Sequence, residues 1–328
     1  MYRYLFLSSL LTLSLAASAV SAQTQVPAAP APQQAPTAPA PSLEPKEVHF
    51  PPVEASNFSA ASPTKEEVEA FLKTSWGYDS NRVWEVYAVQ NTNAPGVSKV
   101  IVLVAEKQNP KQIANLTFFV TPDGKHLISQ EAVMDFGARP YENNYRILQQ
   151  RATGPSRGAT GKQFELVEFA DFECPHCKEA QPVVEKLLQD FPQAHYVFET
   201  FPLVNVHPMA FKAAAFGECV NQQGGNDAFF KYADAIFTAQ GELAGQGAEQ
   251  ALRNSVTAAG SDPNKVAACA DSAAGKAPVE ATLRLAQDLN VNETPTLFID
   301  GRAVPMLAVP YAQLKMIIEY QFALDKAQ

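Results

Sequence analysis

The chain is short of three things. It has four cysteines in 328 residues, and a single Cys-x-x-Cys pair, Cys174 and Cys177. A structural zinc site needs about four ligands. With no second pair, and His207 as at most a third ligand, the zinc reading runs short and no metal is expected. It also lacks a basic excess: 25 Lys and Arg stand against 34 Asp and Glu, a net charge of −9. Nucleic acid selects for basic surfaces, so it is not an expected partner. Beyond the first residues no run is apolar long enough to cross a bilayer, so stable membrane insertion is not expected.

What is present begins with an address. MYRYLFLSSLLTLSLAASAVSA has Arg3 near the front, an apolar run from Leu5 to Ala17, and the small-x-small pattern Val20-Ser21-Ala22. Residues 1–22 read as a secretory signal peptide cut after Ala22. A membrane anchor is the rival; its apolar core would be too short and charges do not flank it on both sides. No cysteine follows the cut, so no lipid anchor is expected. The expected location is periplasmic or otherwise extracytoplasmic, where disulfides persist. Residues 23–61, rich in Pro, Ala and Gln at their start, read as a semi-stiff tether favouring polyproline conformations.

Residues 62–151 read as a small α+β domain. In SPTKEEVEAFLKTSWG, Thr64 and Glu67 form a capping-box pattern, and Val68, Phe71, Leu72 and Trp76 share a face. RVWEVYAVQ, KVIVLVAEK and ANLTFFVT read as strands, and Pro-Asp-Gly in TPDGKHLI as a hairpin turn. A helix, YENNYRILQQR, closes the unit. It holds no catalytic constellation; His126 reads as an ordinary strand-end residue. The strand edges could pair with a second copy, so a homodimer is one expectation.

Residues 152–162 read as a Gly/Ser/Thr hinge, and residues 163–328 as a second domain. FELVEFADF is a strand running into Cys174, and CKEAQPVVEKLLQDF a helix with Val183, Val184, Leu187 and Leu188 on its apolar stripe. Another strand, AHYVFETFPL, precedes an alanine-rich helical block over roughly 208–290. TPTLFID and RAVP then read as a strand pair turning at Asp300-Gly301, and a last helix runs from about Val309 to Leu324. The order is strand, helix, strand, helical block, two strands, helix, with the cysteine pair at the end of the first strand.

FADFECPHCKEAQP, FPLVNVHP and NETPTLFIDG together resemble the DsbA family of extracytoplasmic thiol oxidants. The resemblance runs from Gln163 to the C-terminus. It implies an α/β thioredoxin fold with an inserted helical subdomain, preceded here by the small α+β domain. It implies that Cys174 is the attacking cysteine, Cys177 the resolving one, and Pro295 a cis-proline beside them. Its partners would be exported polypeptides with free cysteines and a redox protein that resets the pair. No cofactor is implied. More faintly, LTFFVTPDGKHLIS and the helix after it resemble the dimerisation domain of the DsbC and DsbG isomerases. The alternative function is therefore a dimeric isomerase, reductase or chaperone-like binder.

The residues support the chemistry. The thiolate is the nucleophile in disulfide exchange. Cys174 is expected at the first turn of a helix, where free N–H groups and the macrodipole favour an anion. Pro175 suits that turn, since its missing donor is not needed there. His176 could add a positive charge or a hydrogen bond. Each pKa unit is about 1.4 kcal/mol, or about 30 mV in a two-electron couple, so a stabilised thiolate makes the disulfide more oxidising. A purely structural Cys-x-x-Cys bond would be strained and leaves the histidine unexplained. Thr294 and Pro295 would handle substrate: the Thr294 backbone could pair with an extended client chain.

Three residues complete the reading. Cys219 and Cys269 lie in the helical block among apolar neighbours. In an oxidising compartment they are expected to pair, closing a loop of about fifty residues worth up to about 4 kcal/mol in the chain-entropy model; two buried free thiols are the alternative. Glu199 stands where related domains often carry a basic residue, and a carboxylate near the redox pair would oppose thiolate formation.

Overall fold

A computed structural model describes residues 47–130 and 132–326. The signal peptide and the Pro/Ala-rich start of the tether lie outside the described residues. Helix α1 (Lys65–Trp76) opens with the expected reciprocal cap: Thr64 Oγ1 accepts from the Glu67 amide at 3.2 Å, and Glu67 Oε2 accepts from the Thr64 amide at 2.8 Å. Its buried Val68 and Leu72 pack on a five-stranded antiparallel sheet. The strands are β1 (Arg82–Asn91), β2 (Ser98–Glu106), β3 (Asn109–Val120), β4 (His126–Ser129) and β5 (Ala132–Asp135), paired in sequence order. Val86, Val100, Val102, Phe118, Val120 and Leu127 complete the core. Full burial of each such side chain contributes about 1.5–3 kcal/mol.

The fold starts before Ser62, where the sequence suggests it begins. Asn57 Nδ2 donates to the Tyr87 carbonyl at 3.1 Å, and the Ala60 amide to the Val89 carbonyl at 3.1 Å. β1 is an edge strand, and these donors satisfy acceptors that would otherwise face solvent.

The second sheet runs β10-β9-β7-β8-β6. Its strands are β6 (Ser156–Gly158), β7 (Glu165–Ala170), β8 (His195–Thr200), β9 (Thr296–Ile299) and β10 (Arg302–Pro305). β7 and β8 are parallel, and the other pairings are antiparallel. Helix α3 (Pro175–Asp190) connects β7 to β8. Between β8 and β9 lies the helical block: α4 (Ala210–Thr238), kinked at Gly225, then α5 (Ala248–Ala258), α6 (Pro263–Asp271) and α7 (Ala273–Asp288). Helix α8 (Tyr311–Lys326) ends the described chain. α3, α8 and the block fill one face of the sheet. α2 (Glu142–Arg151) and the end of α7 cover the other. This is the thioredoxin-like fold with a helical insertion that the resemblance implied.

Two further boundaries differ from the sequence reading. The Gly/Ser/Thr stretch read as a hinge contains β6, because Ser-Arg-Gly supplies a partner to the free edge of β8. And α2, read as the end of the first domain, buries Leu148 against Val167, Phe169 and Phe298 of the second sheet. Its N-terminus meets the β9–β10 turn, where Asn144 Nδ2 donates to the Gly301 carbonyl at 3.2 Å. Gly301 has φ of +85°, and a Cβ there would lie 2.4 Å from the Tyr141 carbonyl oxygen, so only glycine fits.

Candidate active site

β7 is buried on both faces and delivers the chain to the turn Asp171-Phe172-Glu173. Cys174 is the N-cap residue of α3, and Pro175 occupies the first helical turn. Cys177, one turn in, faces the core and is fully buried, while Cys174 is 6% exposed. Cys174 is thus the reachable sulfur, but in a recess and not on an open surface as a helix-start position suggests. The recess is closed by the Thr294-Pro295 peptide, which is cis, and by Gln240, whose amide donates to the Phe172 and Cys174 carbonyls at 2.9 Å each.

The two sulfurs are electrostatically unequal. Cys174 is lowered to about 5, chiefly by the hydrogen bond from the Cys177 thiol; the amides of Cys177 and His176 help, against the cost of burial. Burial and the neighbouring Cys174 charge push Cys177 well above the usual thiol value. Cys174 Sγ also lies 3.5 Å from the Thr294 carbonyl oxygen, and the Asp171 amide donates to Cys177 Sγ at 3.3 Å. His176 contributes through its amide. Its ring points outward and bonds Glu179 Oε2 at 3.1 Å, which raises its own pKa.

A polar network fixes the turn. Buried Asp171 accepts from the Glu173 amide at 2.8 Å on Oδ1, and from the Leu203 amide and His207 Nδ1 at 2.8 Å each on Oδ2. Glu173 Oε2 in turn accepts from the Met209 amide at 2.6 Å. His207, met in the sequence as a possible third zinc ligand, therefore reaches the active-site turn. The pairing of Asp171 with His207 leaves no local signal, because 36 residues separate them.

Glu199 does not face the pair. Strand alternation puts it on the α2 side of the sheet, where its carboxylate accepts from Thr282 Oγ1 at 2.5 Å and the Gly154 amide at 2.9 Å. The expected opposition to the Cys174 thiolate from this residue is absent from the geometry. The carboxylate on the redox face is Glu168 of β7, which the sequence reading passed over. It is fully buried, accepts a hydrogen bond from the Tyr196 hydroxyl, and is pushed up to about 7 by burial. Its signal was available: an acid in the middle of the apolar strand FELVEFA. Cys219 and Cys269 are disulfide-bonded, joining α4 to α6.

The arrangement can perform thiol–disulfide exchange: an accessible thiolate at a helix start, a buried partner thiol, and a titrating acid on the strand beneath.

The thioredoxin family model matches residues 150–320. Among curated proteins, the Na(+)/H(+) antiporter NhaA 1 of Salinispora arenicola is 42% identical over 87 residues, covering 26% of this chain and 13% of that protein. NhaA 1 of Mycolicibacterium vanbaalenii is 31% identical over 148 residues, 44% of this chain and 23% of that protein. The chain spans less than a quarter of the length of these relatives. Among solved structures, a periplasmic thioredoxin-like protein from Salmonella enterica serovar Typhimurium is 20% identical with a TM-score of 0.45, covering 55% of this chain and 97% of that one. Oxidised BdbD from Bacillus subtilis is 21% identical with a TM-score of 0.47, covering 52% and 93%.

Proposed function

The chain belongs to the thioredoxin family, and from that premise we propose that it is an extracytoplasmic thiol–disulfide oxidoreductase that gives the Cys174–Cys177 disulfide to exported polypeptides. The observation that carries this reading is the inequality of the two thiols, one lowered to about 5 and one held well above the usual value. A client thiolate attacks Cys174 Sγ of the oxidised pair. The Cys174–Cys177 bond breaks, and the electron pair leaves with Cys177, which takes a proton from Glu168. A second client thiolate then attacks the client sulfur of the mixed disulfide, and Cys174 leaves as the thiolate. Because that thiolate is stabilised, the second step favours release of an oxidised client. The enzyme ends as a dithiol and needs a redox partner to reset it. The backbone of Thr294 beside Cys174 supplies an edge for an extended client chain. Residues 1–22 serve as the export signal, and residues from about 139 onward form the catalytic unit.

A second reading is a dimeric isomerase or chaperone-like binder, and one observation favours it. Phe119, Ile128 and Val133 lie in register across β3, β4 and β5, on the face away from α1, and are 39%, 38% and 66% exposed. Such a row suits a second copy or an apolar client segment.

The deciding experiment incubates the oxidised protein with a reduced, unfolded test protein and follows disulfide formation, alongside the in vivo redox state of Cys174. An oxidant forms the test disulfides and is found oxidised in the cell. A protein kept reduced, dimeric by light scattering and active only on scrambled disulfides fits the second reading. Full oxidation by a Cys174→Ser variant would sink both.

A further inference from the structure

Arg157 lies in β6, directly opposite Tyr196 of β8. Its guanidinium stacks 4.5 Å from the centre of the Phe230 ring and 5.3 Å from that of Tyr196. One end is held by Glu185 of α3, with Nη1 to Oε1 at 2.5 Å. Its Nε is buried and has no hydrogen-bond partner. The two rings and Glu185 hold the guanidinium in place, with only Nε left unpaired, so its charge is fixed against Tyr196. What it supplies is a positive charge behind Tyr196, whose hydroxyl donates to Glu168. Among the described residues of β8, the face toward α3 and α4 carries Tyr196, Phe198 and Thr200 and no cation.

We propose that Arg157 is a positioning residue for the redox reaction: lying over Tyr196, it holds that hydroxyl on Glu168 and keeps the carboxylate charged, so that Glu168 can take the proton of Cys177. The proposal rests on the reading of Cys174 and Cys177 as the redox pair. The step concerned is resolution of a mixed disulfide between Cys174 and a partner thiol. Cys177 gives its proton to the Glu168 carboxylate. The Cys177 thiolate attacks Cys174 Sγ, the Cys174–Cys177 bond forms, and the partner leaves as its thiolate with the electron pair. Without the charge of Arg157, Glu168 holds its own proton to higher pH and cannot accept another. The groups bearing on Glu168 are Cys177 and Gln181 of α3, Tyr196 of β8 and Arg157 of β6; Glu185 of α3 and Asp234 of α4 face the guanidinium. The direction of the Arg157 effect agrees with this: its charge lowers both Glu168 and Tyr196.

The test loads Cys174 with glutathione and follows release of glutathione against pH in the wild type, Arg157→Met, Arg157→Lys and Tyr196→Phe. Arg157→Met should move the half-maximal pH upward by about one unit, slowing release about tenfold at the wild-type midpoint. Arg157→Lys should restore most of the wild-type profile, and Tyr196→Phe should shift it upward as Arg157→Met does. Should Arg157→Met fail to fold, the Lys and Phe variants carry the test through the same contact. An unmoved profile in Tyr196→Phe and in Arg157→Met, whatever the loss in melting temperature, would overturn the proposal and leave Arg157 a packing residue. If the wild type itself never releases glutathione, the redox reading fails first and the proposal falls with it.

Discussion

His207 Nδ1 and Asp171 Oδ2 lie 2.8 Å apart, and that contact ties the loop after β8 to the turn that carries Cys174. Asp171 is buried and accepts from three donors across that junction. Replacing it by Asn keeps its size but removes the charge and one acceptor. Asp171→Asn should lose about 2–4 kcal/mol of stability, since hydrogen bonds to charged groups contribute about 1.5–3 kcal/mol each and the donors stay buried. Exchange should slow as well, because Glu173 and Cys174 are no longer held. His207→Ala should cost less, as the two amide bonds to Asp171 survive. Urea denaturation and peptide-exchange rates check both; a larger loss in His207→Ala would contradict the ranking.

Thiolate chemistry at Cys174 should be visible directly. With its pKa lowered to about 5, Cys174 is mostly thiolate at pH 6, while Cys177 remains a thiol. Brief iodoacetamide treatment of the reduced protein at pH 6 should label Cys174 alone. The labelling rate should rise with pH through about 5 and then level off. Peptide mass spectrometry reads the site, and the pH series reads the midpoint. Equal labelling of both cysteines, or a midpoint near the ordinary thiol value, would count against the asymmetry that carries the function.

Much of this was written locally in the chain. Thr64 and Glu67 announce the start of α1 because a capping box needs only adjacent residues. Cys174 at a strand-to-helix turn and Thr294-Pro295 before a strand mark the proposed redox centre by type and order. Other features depend on which way a side chain points. Glu199 and Glu168 are both acids in buried strands, yet alternation sends one to the α2 face and the other to the α3 face, against Tyr196. Counting along β8 without knowing its neighbours does not fix that parity. Arg157 sits in a stretch whose glycines and serine read as a hinge, and only the free edge of β8 makes it a strand. The Asp171–His207 pair depends on two loops meeting, which no periodicity reports.

Buried carboxyls should make stability fall as pH rises. Glu218 of α4 is buried and is pushed up to about 7 from 4.5 by burial, with the Glu199 charge adding to the rise and the Thr200 hydroxyl, 2.9 Å away, opposing it. Between those values the folded state binds a proton that the unfolded chain has released. Stability therefore declines through that window, by on the order of 3 kcal/mol for this one group. Glu168, also raised to about 7, acts in the same direction. Glu218→Gln should flatten part of the decline and leave the variant relatively more stable at pH 8 than at pH 5. Denaturant melts from pH 5 to pH 8 supply the comparison, and a stability that climbs across this range would contradict it.

The last prediction concerns where the catalytic unit begins. The sequence places the cut near residue 163, after a hinge, with α2 in the first domain. The packing places it before α2. Leu148 and Ala152 are buried against Val167, Phe169, Val197 and Phe298, and β6 completes the edge of the second sheet. A chain starting at 163 would uncover that apolar face and leave the outer edge of β8 open. A chain starting near 139 keeps α2, β6 and Arg157, and loses α1 with the first sheet. It also gives up the packing of Tyr78, which lies under Arg302, and three hydrogen bonds from that unit: Arg302 Nη2 to the Ser75 carbonyl at 2.9 Å, Gln313 Nε2 to the Tyr78 hydroxyl at 3.3 Å, and the Tyr320 hydroxyl to the Lys73 carbonyl at 2.7 Å. These lie at the β9–β10 turn and on α8, away from Cys174, so the shorter chain should still exchange disulfides with small peptides at near full rate. The chain from 163 should melt well below it or aggregate. Thermal melts and peptide assays of the two chains beside the full protein decide the matter. Equal stability would return α2 to the first domain, and loss of peptide exchange in both would show that the first sheet is part of the catalytic machinery.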